Sequence, residues 1–357
     1  IAAFFLCSSV VEAAEHYSYR VAFMPDIHFH DVYGQFQDGA FHGLKNSKSG
    51  QNAMIRTMYA QLTSTRLFNE NYFALRAALD DAGKKGIKLI ALPGDFSDDG
   101  QPVHIRGLVK LLEEYQQKYG MRFFATPGNH DPNRPFDLPG GEEDFLGAGG
   151  KTQRIFSAGA HECKGYRGKT AVIATGAELP TICSEEMVSS GYEYIMKMMS
   201  PFGMNPQPND IYWETPYSTY DEKSYSYAKA QQASDFHQRQ YEICAQGTGG
   251  KYRQPGYGPC FTVADSSYLV EPVPGLWLMA VDANVYLPRE NADPTKPESA
   301  NNFAGSGDAG YNKMLTHKQQ TVAWMTSVAQ RARANNKTLV TFSHFPMVEF
   351  DNGAAAD

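Results

Sequence analysis

The strongest constraint on the fold is an alternation of strand-like and helical segments in the first third of the chain. Apolar runs at 19–24, 87–92 and 121–125 predict strands, and the stretches at 73–83 and 108–119 between them predict helices. Such alternation is typical of a parallel sheet covered by helices. In these sheets ligands bind beyond the carboxyl ends of the strands, so that edge is where a site is expected.

The same pattern returns near the end of the chain. Strands are predicted at 276–281 and 338–342, with a helix at 319–333 between them. From 132 to 274 the pattern is lost, and the sequence there is rich in Gly, Pro, Ser and Tyr. We interpret this stretch as a large insertion or a lid.

Four of the predicted strands are followed by a polar cluster. In chain order these are Asp26-Ile27-His28, Gly94-Asp95-Phe96-Ser97-Asp98-Asp99-Gly100, Gly128-Asn129-His130-Asp131 and Ser343-His344-Phe345-Pro346. Carboxylate, imidazole and amide oxygen are ligands for divalent first-row metals. Glycines before Asp95 and Asn129 permit sharp turns and close backbone approach. Two ions held together can clamp both sides of a phosphoryl displacement.

These clusters resemble the calcineurin-like metallophosphoesterase family, whose motifs run D-x-H, G-D-x-x-D, G-N-H-D/E, a lone H and G-H-x-H. The first four occur here in order, each after a predicted strand. The resemblance implies an α/β fold, a β-sandwich flanked by helices in four layers (αββα). The phosphoesterase domain would comprise 15–135 and 275–357, and the disulfide-containing insertion or lid 136–274.

The terminal G-H-x-H does not occur before Asp357. We therefore expect the domain to lack its C-terminal strands in this sequence and the natural chain to continue with that motif. Each ion would be one histidine short, so the sequence as given is expected to bind metal weakly and to turn over slowly.

The resemblance also implies a role for each matched residue. Asp26 and His28 would bind the first of two divalent ions, Asp95 would bridge both, and Asn129 and His344 would bind the second. The ions could be Mn, Fe, Zn or similar.

Two further residues of the third cluster would act in catalysis. His130 would assist the leaving oxygen, and Asp131 would orient its ring. For Asp98 and Asp99 we favour supporting or solvated positions over ligation.

The implied activity is hydrolysis of a phosphate monoester or diester by metal-bound hydroxide. The substrate would be a phosphorylated small molecule, lipid or nucleotide. Two other classes stay open: a metal-binding scaffold without catalysis, and a protein whose Tyr-rich insertion binds a glycan or lipid. An intact pair at His130 and Asp131 argues against the scaffold.

Composition limits the partners and the compartment. A net charge of −7 gives no basic footprint of a nucleic-acid binder. No stretch is long and apolar enough for a transmembrane anchor, and the oligomeric state is not indicated. Residues 1–14 resemble the end of a signal peptide with a cut after Ala13. Export to a bacterial periplasm or the extracellular space is therefore expected.

The cysteines agree with export. Four remain after the leader, and in an exported chain they suggest two disulfides with three possible pairings. Neighbouring cysteines close the shortest loops, which favours Cys163–Cys183 and Cys244–Cys260.

Overall fold

The structure is a computed structural model that describes residues 18–164, 171–173, 179–305 and 310–345. The predicted signal segment 1–14 and the end of the chain after 345 lie outside these residues. Among the described residues, no helix combines the length and the apolar character needed to cross a bilayer.

Helices and strands alternate in the regions where the sequence predicts them. The helices are α1 (Met58–Thr63), α2 (Phe68–Lys84), α3 (Pro102–Tyr119), α4 (Tyr192–Met198), α5 (Tyr227–Ala233), α6 (Gly310–His317) and α7 (Gln319–Ala334). The strands are β1 (Val21–Phe23), β2 (Leu44–Lys45), β3 (Asn52–Ala53), β4 (Leu89–Pro93), β5 (Arg122–Thr126), β6 (Gly141–Leu146), β7 (Thr152–Phe156), β8 (Ala171–Ile173), β9 (Thr181–Cys183), β10 (Tyr212–Glu214), β11 (Gln240–Cys244), β12 (Gly247–Thr248), β13 (Cys260–Ala264), β14 (Tyr268–Val273), β15 (Leu276–Val281) and β16 (Thr338–Ser343).

The first sheet has the order β1-β4-β5, and all of its pairs are parallel. Every residue of β4 is buried, as expected for a central parallel strand covered on both faces. Helix α3 starts with Pro102 at a position that needs no amide donor, and it ends at Gly120 in the left-handed region.

A second sheet has the order β10-β14-β15-β16 and packs against the first. The Thr126 hydroxyl donates to the carbonyl of Val281 at 3.1 Å, and the Tyr268 hydroxyl donates to that of Ala125 at 3.1 Å, which ties the two sheets together. Apolar side chains of α2 and α3 belong to the shared core, and α7 packs against β16. The expected mixed α/β fold is confirmed.

The segment predicted as an insertion is not separate from this core. Strands β10 and β14 lie within 136–274, yet β14 pairs with β15 of the second sheet. The strand pairing therefore crosses the predicted boundary at 274. The same segment also forms two smaller sheets, with the orders β12-β11-β13 and β6-β7-β9-β8.

Both predicted disulfides are present. Cys163 pairs with Cys183, and Cys244 on β11 pairs with Cys260, which lies opposite it on β13. The choice of nearest neighbours is confirmed.

Candidate active site

The first two motif loops lie side by side because β1 and β4 are adjacent parallel strands. The amide of Asp26 donates to the carbonyl of Gly94 at 3.2 Å, and the amide of His28 donates to that of Asp95 at 2.8 Å. These bonds continue the strand pairing past the end of the sheet. They fix the backbone from which the side chains of Asp26, His28 and Asp95 project.

Backbone strain is concentrated in the same loops. Asp26, His28, Asp95 and Asp99 all have positive φ, at 51°, 43°, 48° and 55°. Residues with a side chain rarely adopt this conformation, and such strain tends to gather at functional sites. Here the neighbouring strands and backbone bonds hold it in place.

Two glycines allow the loops to approach each other. A Cβ on Gly94, where φ is +77°, would lie 2.5 Å from the Cβ of His344. One on Gly128 would lie 2.1 Å from Oδ1 of Asp95. The expectation that the glycines before Asp95 and Asn129 permit close approach is confirmed.

Asp26, His28 and Asp95 form a first group of ligand atoms, which lie within 4.8 Å of one another. His28 Nε2 lies 3.6 Å from Oδ2 of Asp95, and its buried Nδ1 has no hydrogen-bond partner among the described residues. Burial and the charge of Arg66 lower the pKa of His28 to about 4, so the ring is neutral at pH 7. Burial raises the pKa of the Asp26 carboxyl. Carboxylates and a neutral imidazole fit a divalent cation.

The same oxygen of Asp95 faces a second group. Its Oδ2 lies 3.4 Å from Nε2 of His344, and that nitrogen lies 3.0 Å from Oδ1 of Asn129. His344 Nδ1 lies 3.2 Å from the carbonyl oxygen of Pro93, which can only accept. The ring proton therefore belongs on Nδ1, and the lone pair of Nε2 points toward Asp95 and Asn129.

The structure thus brings together all five residues predicted as metal ligands. Asp95 stands between His28 and His344, as a bridging carboxylate must. The donor atoms are of the kinds that suit divalent metal ions.

His130 lies beside this group, with its ring centre 5.2 Å from that of His28. Its Nδ1 makes a close contact with the carboxylate of Asp99. Burial opposes a charge on the ring, but the hydrogen bond and the charge of Asp99 outweigh it and raise the pKa of His130. His130 is therefore poised to carry a proton.

Asp131 does not orient this ring, contrary to the prediction. Its buried carboxylate accepts from the amides of Asp95 at 3.1 Å, Ser97 at 2.8 Å and Gly128 at 2.9 Å. It therefore ties the second motif loop to the third. The position predicted for Asp131 is occupied by Asp99, for which a supporting role was expected.

Sequence reasoning missed Arg66, which precedes α2. Its Nη2 lies 2.8 Å from Nε2 of His130, and its Nη1 pairs with the buried carboxylate of Asp98. Its side chain is 19% exposed, so it is partly accessible to solvent. No motif marks Arg66, and only the tertiary structure brings it to His130, 64 residues away.

Arg56 was missed as well. Its guanidinium is buried, donates to Asp98 at 3.1 Å and to Glu142 at 2.7 Å, and pairs with Asp144. It thereby fixes Asp98, which in turn holds Arg66. A buried ion-pair network therefore supports the side of the site that holds His130.

A comparison of the sequence with models of protein families bears on the function of this site. The model of the calcineurin-like phosphoesterase family matches residues 19–180. Residues 19–180 therefore form a calcineurin-like phosphoesterase domain. It is accordingly a metal-dependent phosphoester hydrolase.

The matched range holds every site residue described above except His344. Among solved structures, a dimetal phosphatase from Danio rerio is similar to this phosphoesterase at 10% identity and a TM-score of 0.36. The match covers 94% of this chain and 73% of that one. No curated protein matches the chain.

Proposed function

We propose that the phosphoesterase hydrolyses a phosphate monoester or diester at a centre of two divalent metal ions. Asp26, His28 and Asp95 would hold one ion, and Asp95, Asn129 and His344 would hold the other. The observation that carries the proposal is the position of the Asp95 carboxylate, whose Oδ2 faces both His28 and His344. When bound, the ions would supply Lewis-acid activation of water and of the phosphoryl group.

The chain's own residues supply the proton chemistry. His130 would protonate the leaving oxygen, because Asp99 holds its ring and favours the charged form. Asp131 would act as a positioning residue, since it binds backbone amides of both motif loops rather than the ring.

Arg66 would bind a phosphoryl oxygen of the substrate. A guanidinium presents several donors in a planar fork that matches phosphate oxygens. The Nη1 atom of Arg66 pairs with Asp98, and its Nη2 atom lies 2.8 Å from Nε2 of His130. An anion bound at the metal ligands would therefore lie within its reach.

Metal content and turnover of Asp95→Asn test the proposal. We expect the variant to lose metal and activity together, because both ions depend on this carboxylate. Metal would be measured by mass spectrometry after reconstitution with Mn, Fe or Zn. Activity would be measured on p-nitrophenyl phosphate and on bis(p-nitrophenyl) phosphate.

Asp81→Asn is the matched control, because Asp81 is exposed on α2 and pairs with Lys85. It should retain both metal and turnover. Full activity of chelated, metal-free enzyme would refute the proposed mechanism. The relative rates on the two esters would assign a monoesterase or a diesterase.

We also propose that the protein is exported. The two disulfides support this, because such bonds persist in oxidising compartments such as the periplasm or the extracellular space. Mass analysis of non-reduced peptides from exported material should show Cys163–Cys183 and Cys244–Cys260. Four free thiols in the exported material would contradict the disulfides on which this proposal depends.

A further inference from the structure

The loop of the third motif is held by two side chains from the segment that follows β15. The side-chain amide of Asn284 donates to the carbonyl of Gly128 at 2.8 Å. The hydroxyl of Tyr286 donates to the carbonyl of Pro132. Both side chains are buried, and the two carbonyls flank the part of the loop that carries His130. We call Asn284 and Tyr286 the anchoring pair.

These contacts restrict the backbone on both sides of His130. The carbonyl of Gly128 and the amide of Asn129 belong to one planar peptide group, so a bond to that carbonyl sets the direction in which the chain enters Asn129. The amide of His130 donates to Oδ1 of Asp95 at 2.9 Å. With both flanking carbonyls held as well, the direction of the His130 side chain depends on the anchoring pair.

The segment that carries the anchoring pair is itself fixed by a buried ionic cluster. Lys318, whose side chain has no exposed surface, donates from Nζ to the carbonyl of Asp282 at 2.5 Å. Its Nζ lies 3.5 Å from the carboxylate of Asp265 and 3.7 Å from that of Asp282, and both carboxylates are fully buried. The carboxylate of Asp282 accepts from the amides of Asn284 at 3.1 Å and Ser266 at 3.0 Å.

A cluster of this kind is a poor source of stability. Its charges lose their hydration on burial, and replacing a buried ion pair with apolar side chains of similar volume is often neutral or stabilising. Its effect on geometry is direct, because it joins Lys318, at the start of α7, to Asp282, at the end of β15. From there, hydrogen bonds lead through Asn284 to the third motif loop.

We propose that Asn284 and Tyr286 are positioning residues that keep His130 aligned with the leaving oxygen of the substrate. Because they are buried, they would act through the backbone of the third motif loop. The inference rests on the proposed function, from which it takes the role of His130 in protonating the leaving oxygen. A misplacement of about 1 Å can cost about 100-fold in rate, so the loss of either contact should be measurable in kcat.

Tyr286→Phe in the full-length, metal-loaded protein is the first test, because it removes only the hydroxyl. We expect kcat to fall about tenfold on phenyl phosphate, which has a poor leaving group, and less on p-nitrophenyl phosphate. The matching diesters would be used if the protein prefers them.

Tyr268→Phe is the matched control, because its buried hydroxyl also donates to a backbone carbonyl, that of Ala125 in β5, at 3.1 Å. Thermal unfolding should show a similar loss of stability in Tyr268→Phe and Tyr286→Phe. The control should keep the kcat of the wild type on both esters.

A double-mutant cycle separates positioning from a general weakening of the fold. Asn284→Ala should lower kcat on phenyl phosphate about 100-fold in the wild type. In the His130→Ala background it should lower kcat only about threefold, because no imidazole remains to be aligned. All variants would be assayed at saturating metal, so that a change at Asn129 does not enter the comparison. If Asn284→Ala does not fold, the same cycle with Tyr286→Phe replaces it.

Two results would overturn the proposal. One is an equal change of kcat in Tyr286→Phe and Tyr268→Phe. The other is a cycle in which the loss caused by the anchoring-pair variant and the loss caused by His130→Ala multiply in full. Failure of the proposed function would show separately, as a His130→Ala variant that turns over phenyl phosphate as fast as the wild type.

Discussion

The two sides of the site are held in place by different means. The motif loops that carry Asp26, Asp95 and Asn129 are fixed by backbone hydrogen bonds, positive φ angles and glycines without room for a Cβ. Arg66, which precedes α2, is fixed by a side-chain ion pair to Asp98. A site built by backbone tolerates little change in geometry, whereas one built by ion pairs is sensitive mainly to charge.

The sharpest test of this contrast compares two glycines with similar φ. Gly94→Ala should abolish metal binding and lower turnover by about 10⁴-fold, because the new Cβ would clash with His344 and the ligand set would come apart. Gly50 has a φ of +72°, but no atom lies within 4 Å of the place a Cβ would take. Gly50→Ala should therefore cost about 1 kcal/mol of stability and leave turnover unchanged. Equal losses of metal content and turnover in the two variants would contradict this comparison.

His130→Ala should remove chemistry while sparing the ligands. We expect metal content to stay normal and kcat to fall about 10³-fold, because the variant lacks the group that protonates the leaving oxygen. The loss should shrink for esters with a good leaving group such as p-nitrophenolate, which needs little protonation. An equal loss of kcat for esters with good and with poor leaving groups would instead indicate that His130 acts in substrate binding.

Arg66→Gln should lower kcat/KM by about 100-fold with metal content intact. Inhibition by inorganic phosphate should weaken in parallel, because both effects depend on a bound phosphoryl oxygen. Arg76→Gln is the matched control, since Arg76 lies on α2 and pairs with the exposed Glu114. If inorganic phosphate inhibited Arg66→Gln as strongly as the wild type, the result would contradict the proposed role of Arg66 in substrate binding.

Asp99→Asn should have the smallest effect, about tenfold in kcat, and should change the pH profile. Asp99 raises the pKa of His130, so its removal lowers that pKa. The protonated ring is then lost at lower pH, and the basic limb of the kcat profile should move toward acid.

Asp131→Asn serves as the contrast to Asp99→Asn. It should lower the midpoint of thermal unfolding and leave the basic limb of the kcat profile unchanged, because Asp131 binds backbone amides. If the basic limb of the kcat profile moved in Asp131→Asn, the result would support the predicted role of Asp131 in orienting the His130 ring.

The sequence alone indicated that the five residues proposed as metal ligands lie together, because its signals are local. Each of these residues follows an apolar run that ends a strand, and parallel strands bring their ends to one edge. The order of residues in a motif did not reveal side-chain direction. Asp131 follows His130 directly, yet its carboxylate points toward Asp95 and Ser97, while Asp99 contacts the ring.

Pairings between distant parts of the chain were beyond sequence reasoning. Arg56 reaches Glu142 across 86 positions, and no local pattern encodes that contact. Strand β14 lies in the stretch 132–274, which is interpreted as an insertion because the alternating pattern of strands and helices is lost there. Its place in the second sheet depends on pairing with β15, which is a tertiary property.

The contact between His344 and the end of β4 has a consequence for the order of folding. His344 Nδ1 meets the carbonyl of Pro93, which lies 251 positions earlier in the chain. Closing so long a loop is slow and is achieved only when β16 docks beside β15. We therefore expect a newly made chain to acquire Asp26, His28 and Asp95 as a partial site first. At the two-ion centre proposed above, the second ion would bind late, and its arrival would report that the two sheets have joined.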